Sequence, residues 1–259
     1  MSAKLSYDEI RVPVSLERDT ILECVAEMRF EPTVDSAEEL LPGMLFGRLP
    51  GVFLRSSRLP MADVPRSMRD SDPNMRHQPT QRLEGNDALC LVGGRAVGVS
   101  FRKPYGSWPK VRPLMVRCFE QVMDTGLVRS VERVSLKYTN LLAEGRDEFD
   151  LGQLRAKVEF GPFHLRDPGR VFHVEIDIDN CIAIVEVIPG ARITLQTAGG
   201  AQSFAGVVLS VDVIRNGPFE NFPEKLPELL DAVHAAEKKV FFGLLSDATL
   251  EKLGPKWGE

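Results

Sequence analysis

Phe172-His173-Val174-Glu175-Ile176-Asp177-Ile178-Asp179 is the stretch on which the fold turns. In an extended chain His173, Glu175, Asp177 and Asp179 share one face, while Phe172, Val174, Ile176 and Ile178 share the other. Alternation sustained through this run marks a β-strand with one buried side. The ionisable side then either meets water or lines a cavity that takes a cation or a cationic partner.

The same alternation recurs outward from there. Ile21 to Phe30 puts Glu23, Glu27 and Arg29 on one side and Leu22, Cys24, Ala26 and Met28 on the other. Val128 to Leu142 opposes Arg133, Ser135 and Lys137 to Val134, Leu136 and Tyr138. Val52 to Ser56, Ala88 to Val92, Ala96 to Phe101, Ile182 to Ile188, Arg192 to Thr197 and Phe204 to Ile214 read as further strands. Asp179-Asn180, Pro189-Gly190 and Gly199-Gly200 divide the later ones, and Gly93-Gly94 suits the positive φ of a tight hairpin. A helix is expected after Asp35 or Ser36, with Glu38 and Glu39 at its positive end. A second is expected after Ser107-Trp108-Pro109, with Val111, Leu114, Met115, Cys118 and Val122 on one stripe. The longest, Pro223 to Ser246, carries Leu226, Leu229, Leu230, Val233, Val240, Phe241 and Leu244. A short amphipathic piece is expected at Leu151 to Val158.

Strands segregated around a few long helices predict an α+β fold of two related lobes, each a mainly antiparallel sheet covered by one long helix. The expected division gives residues 1–145 to an N-terminal lobe and 146–259 to a C-terminal lobe ending in the long helix. Residues 58–86, with Pro60, Pro65, Pro73 and Pro79, read as a long, mobile, poorly packed loop.

A chain of 259 residues buries a sizeable core without disulfide or metal staples. A net charge of -5 argues against whole-surface attraction to nucleic acid or anionic lipid. Cys24, Cys90, Cys118 and Cys181 form no C-x-x-C pair and read as buried, reduced thiols, which predicts a cytoplasmic protein. The opening residues lack the apolar core of a secretory leader, and no run is long enough to span a membrane.

Three sets of side chains are candidates for function. Glu175, Asp177 and Asp212 offer carboxylates for a divalent ion, and Arg29, Arg133 and Lys137 offer cations for phosphate. A sheet closed with these groups inside would make a metal-dependent phosphohydrolase or polyphosphate-binding tunnel. Arg102, Lys103, Tyr105, Trp108, Lys110 and Arg112 combine cations with stackable rings, the ingredients of single-stranded nucleic-acid or nucleotide binding, and equally of a packed strand-to-helix corner. On the last helix Glu237 falls within the apolar stripe one turn after His234, where it either reaches a base such as Arg133 or Lys137 or shares a metal with the histidine. No nucleophile elbow or phosphate loop is present, so no catalytic residue and no cofactor are expected.

Glu23-Cys24-Val25-Ala26-Glu27-Met28-Arg29-Phe30, Tyr105-Gly106-Ser107-Trp108, the run from Arg133 to Asn140, and His234 with Phe241 together resemble a family. It is a sporadically distributed bacterial protein family of about 250 residues with no established function, so it implies no catalytic residues and leaves function to the site itself. Lys137 stands where the resemblance implies arginine, which weakens any role needing a planar fork. The resemblance implies a bacterial, cytoplasmic protein. With no coherent catalytic set, the expectation is a non-enzymatic binding or assembly protein, an accessory component of a defence-type system. Its expected partner is another protein, with nucleic acid less favoured and no membrane.

Overall fold

The computed structural model describes residues 10–143, 151–156, 171–197 and 200–258. The lead-in before Ile10, the end of the expected amphipathic piece at 157–158, and Gly199 lie outside the described residues. In chain order the strands are Ser15–Leu16 (β1), Ile21–Pro32 (β2), Arg55–Arg58 (β3), Gln81–Glu84 (β4), Leu89–Val92 (β5), Ala96–Arg102 (β6), Val128–Ala143 (β7), Phe172–Ile178 (β8), Cys181–Thr197 (β9), Gly200–Asn216 (β10) and Pro255–Lys256 (β11). The helices are Ala37–Arg48 (α1), Arg66–Ser71 (α2), Trp108–Met123 (α3), Phe222–Leu244 (α4) and Asp247–Lys252 (α5). The fold is α+β, with a large antiparallel sheet ordered β3-β4-β5-β6-β2-β7-β10-β9-β8 and a small β1-β11 pair. Among the described residues no helix is long and apolar enough to cross a membrane.

The chain forms two compact units. One comprises Glu23–Lys137 and Ile214–Val233, the other Met1–Leu22, Tyr138–Val213 and His234–Glu259. Whereas the sequence reading cuts the chain once near residue 145, both units draw on segments from either side of that point.

In the first unit the alternation of β2 is realised as expected, since Cys24, Ala26, Met28 and Phe30 are fully buried while Glu23, Glu27, Arg29 and Glu31 are half-buried on the opposite face. Cys90, Val92, Val97, Val99, Val134 and Leu136 extend the apolar side. Helix α3 packs on β6, and α1 packs on α3, β4 and β5. The α3 stripe is Val111, Met115, Cys118, Phe119 and Val122. Full burial of a side chain the size of Phe119 or Met115 gains about 2 kcal/mol. Burial pushes the Cys118 thiol up to about 12 and Cys90 well above its ordinary range, so both stay protonated. All four cysteines are buried and unbridged.

Residues 58–86 are built differently from the loop expected of them. A 3₁₀ turn at Pro60–Asp63, α2 and β4 lie within them, and β4 pairs with both β3 and β5. Leu83 and Thr80 are buried. Arg69, also buried, reaches both carboxylate oxygens of Glu38 on α1 at 2.9 and 3.0 Å and the carbonyl of Val64 at 3.1 Å. The hairpin glycines also act differently, for neither Gly93 nor Gly94 takes a positive φ. Gly93 is needed for close approach, because a Cβ there would lie 2.8 Å from the carbonyl oxygen of Gln78.

In the second unit Ala183, Val185 and Val187 of β9 and Val207, Leu209, Val211 and Val213 of β10 form the core with Leu245 and Val240. Asp179 and Asn180, at φ 47° and 58°, make the tight turn joining β8 to β9. Strand β9 runs through the Pro189-Gly190 break expected from sequence, with Gly190 at φ 63° absorbing the irregularity. A buried hydrogen bond of 2.8 Å from Thr20 to Asn140 fixes the end of β7.

Candidate anion-binding site

The half-buried face of the first unit's sheet is organised by register. Arg82 of β4 lies opposite Leu91 of β5, Leu91 opposite Gly98 of β6, and Gly98 opposite Glu27 of β2. Residues directly opposed across strands share a face, so these form one row. Arg29, two residues on from Glu27, donates to its carboxylate at 2.6 Å. Arg133 of β7 stands 3.9 Å from the same oxygen and 3.4 Å from the Ser135 hydroxyl. At the end of the face Arg95 pairs with Glu31, and Arg82 pairs with Glu84. The side chains of Arg29, Arg95 and Arg133 are 28, 19 and 18% exposed, enough for a small solute to reach and too little for bulk water to screen fully.

A turn from Asp72 to Gln78 brings His77 to this face. The Asp72 carboxylate accepts from the Asn74 amide at 2.8 Å, and its carbonyl accepts from the Met75 and Arg76 amides. The turn is seated by the contact of Gln78 with Gly93 and by a 2.9 Å hydrogen bond from the Thr80 amide to the Val92 carbonyl. Burial, then the charges of Arg29, Arg76, Arg133 and Arg95, lower the His77 pKa from 6.5 to about 4. The ring is therefore neutral at pH 7. Its Nδ1 is enclosed without a hydrogen-bond partner, as are Nε of Arg76 and Nε of Arg82.

Around the His77 turn Arg29, Arg76, Arg82, Arg95 and Arg133 stand with Glu27, Glu31, Glu84 and Asp72, and the three glutamates pair with Arg29, Arg95 and Arg82. Guanidinium forks in a partly enclosed setting suit a planar or tetrahedral oxyanion, and their hydrogen bonds to it are charge-assisted.

Of the residues singled out for phosphate, the structure brings Arg29 and Arg133 to the same Glu27 oxygen, and the charges of both act on the His77 ring. Lys137 is four residues along β7 and is not among the charges that act on that ring. The carboxylate set is not assembled. Glu175 and Asp177 are exposed on β8, while Asp212 lies on β10 with β9 between them, a separation of about 10 Å. Among the described residues no three His, Cys, Asp or Glu side chains meet as a metal-holding group. The proposed nucleic-acid surface is largely engaged within its own unit. Arg112 grips Asp231 with contacts of 2.7 and 2.6 Å and reaches the Pro227 carbonyl at 3.2 Å. Trp108 donates to the same Asp231 at 3.0 Å, Tyr105 is buried, and Arg102 lies 3.4 Å from Glu23. Lys103 and Lys110 are exposed.

On α4, Glu237 is buried, and burial raises its pKa to about 8 with Lys238 pulling it down. One turn earlier His234 Nδ1 meets the Tyr138 hydroxyl at 3.3 Å.

Sequence reasoning missed Arg76, His77, Arg82 and Arg95. The available signal was the Arg76-His77 pair between Pro73 and Pro79, holding the first histidine of the chain. No family model matches the sequence, and no curated protein matches it either.

Proposed function

We propose that the protein is a non-enzymatic binding protein that recognises a phosphate-type oxyanion on the face built from β2, β7 and the His77 turn. The observation that carries this reading is the pair Arg29 and Arg133, both beside Glu27 on the half-buried face, together with a His77 whose Nδ1 is enclosed without a partner and whose ring feels the charges of Arg29, Arg76, Arg133 and Arg95. The guanidinium groups of Arg29 and Arg95 keep donors beyond their contacts with Glu27 and Glu31, and an oxyanion can accept from those donors. The role of a bacterial, cytoplasmic accessory component in a defence-type system, acting on another protein, belongs to the same reading. So does the finer picture of two related lobes each with one long helix; in its support, Pro113 and Pro227 both stand five residues after the first residue of their helices.

Calorimetric titration with inorganic triphosphate, with and without magnesium, tests the proposal. The expected result is metal-independent binding that weakens about tenfold or more on Arg133→Ala, because a hydrogen bond to a charged group contributes about 1.5–3 kcal/mol. Absence of heat would defeat it. Binding that required magnesium and vanished in Asp177→Ala would instead favour the metal-dependent phosphohydrolase.

A further inference from the structure

We infer that the ligand of this face is a terminal, doubly charged phosphate group, and that it binds together with a proton taken up by His77. The inference rests on the anion-binding reading above and adds the ligand's class and a regulator.

The geometry comes first. The His77 turn is pressed onto the sheet at Gly93, and the ring's Nδ1 is enclosed without a partner. A buried nitrogen in that state lacks a hydrogen bond that a ligand oxygen can supply once the nitrogen carries a proton. The neighbouring charges explain why it lacks that proton. Arg29 comes from β2, Arg95 from the end of the β5-β6 hairpin, Arg133 from β7 and Arg76 from the turn itself. Arg82 stands on β4. Against them are Glu27 and Glu31 of β2, Glu84 of β4 and Asp72 of the turn, and the first three are already paired with arginines. Burial and the excess of cations together keep the imidazole uncharged.

An anion seated among those arginines reverses the field at the ring. The ring then gains a proton, and His77 becomes a further charged donor to the ligand. A terminal phosphate brings close to two charges at pH 7, its second ionisation lying near about 6, whereas a phosphodiester brings one. The dianion cancels more of the arginine field, so proton uptake favours a phosphate end over a diester backbone. By linkage, affinity strengthens as pH falls through the interval between the free and the bound pKa of His77.

The test is calorimetry of the full chain at pH 7 in two buffers of different ionisation enthalpy. The probes are inorganic triphosphate, sulfate as a dianion that does not itself titrate, and dimethyl phosphate as the diester. Expected are a buffer-dependent heat with sulfate corresponding to uptake of a fraction of a proton up to one, an affinity for sulfate that rises as pH drops from 7 to 6, and dimethyl phosphate binding at least tenfold weaker than triphosphate. His77→Gln should bind sulfate more weakly and lose the buffer dependence seen with that probe. If that variant does not fold, proton NMR of the unaltered chain serves instead. The His77 ring signal, one of four histidines, should move toward its protonated position when sulfate is added at pH 7. Sulfate binding with identical heat in both buffers, a ring signal that does not move, or a diester bound as tightly as triphosphate overturns the inference while leaving the anion site standing. No heat with any probe removes the anion-binding reading and this inference with it.

Discussion

Strands β2 and β8 carry nearly the same message in sequence, charged residues alternating with apolar ones, yet they meet different surroundings. On β8, the last strand of the sheet order, His173, Glu175 and Asp177 are exposed; Glu175 and the facing Glu186 lie 3.9 and 3.7 Å from the His173 ring. On β2, in the interior of that order, Glu27, Arg29 and Glu31 are half-buried beside the His77 turn. Alternation reports that one face of a strand is polar. What lies over that face depends on chain segments distant in sequence, and only the covered face concentrates charge in a setting that water screens poorly.

The largest expected effect tests this contrast directly. Removing Arg29 and Arg133 together should weaken triphosphate binding about a hundredfold or more, two charge-assisted contacts being lost. Removing Glu175 and Asp177 together should leave it unchanged. Equal losses in calorimetry would erase the distinction between the faces.

Next in size is the pin that holds the covering segment. Glu38→Ala leaves Arg69 buried and unpaired, and should lower unfolding stability by about 3 kcal/mol in urea titration. An effect below about 1 kcal/mol, the range of surface pairs, would mean that segment 58–86 is held by its backbone alone.

Glu237 and His77 should respond oppositely to pH. Glu237 binds its proton more tightly when folded, so its contribution is full below pH 4.5 and falls as pH rises toward about 8. His77 binds its proton more weakly when folded, so stability is lost as pH falls from 6.5 toward about 4. Denaturant midpoints across pH 4 to 9 should show the alkaline decline removed by Glu237→Gln and the acidic decline reduced by His77→Gln. A Glu237→Gln profile that still declined through the alkaline range would contradict the first assignment.

The smallest effects belong to the wet surfaces. Asp231→Ala, which releases Arg112 and Trp108, should cost about 1 kcal/mol in thermal melts, as befits a half-exposed pair. Glu175→Ala should change stability by less than about 0.5 kcal/mol.

Much of the fold was legible wherever period and punctuation agreed. The buried and polar sides of β2, the turn at Asp179-Asn180, the extent of α4 and the four buried thiols follow directly from residue pattern. Elsewhere long-range pairing overrode the local signal. Strand β3 begins at Arg55 rather than Val52 because its partner is Gln81–Glu84, inside a stretch whose prolines conceal it. Pro189-Gly190 suggested a break, and a positive φ at Gly190 keeps β9 continuous instead. Of the candidate site, Arg29 and Arg133 stood out in sequence because they sit on regular strands. Arg76, His77 and Arg95 come from turns, whose residues have no period to betray the face they join.

The missing side chain at position 93 gives the molecule a mechanical adjustment independent of its charges. Gly93→Ala would set a methyl group against the peptide that carries Gln78, lifting the adjacent imidazole from its seat without adding or deleting one ionic group. Shape and charge at this locus are thus separately adjustable, and altering either alone would reveal which of them the ligand senses.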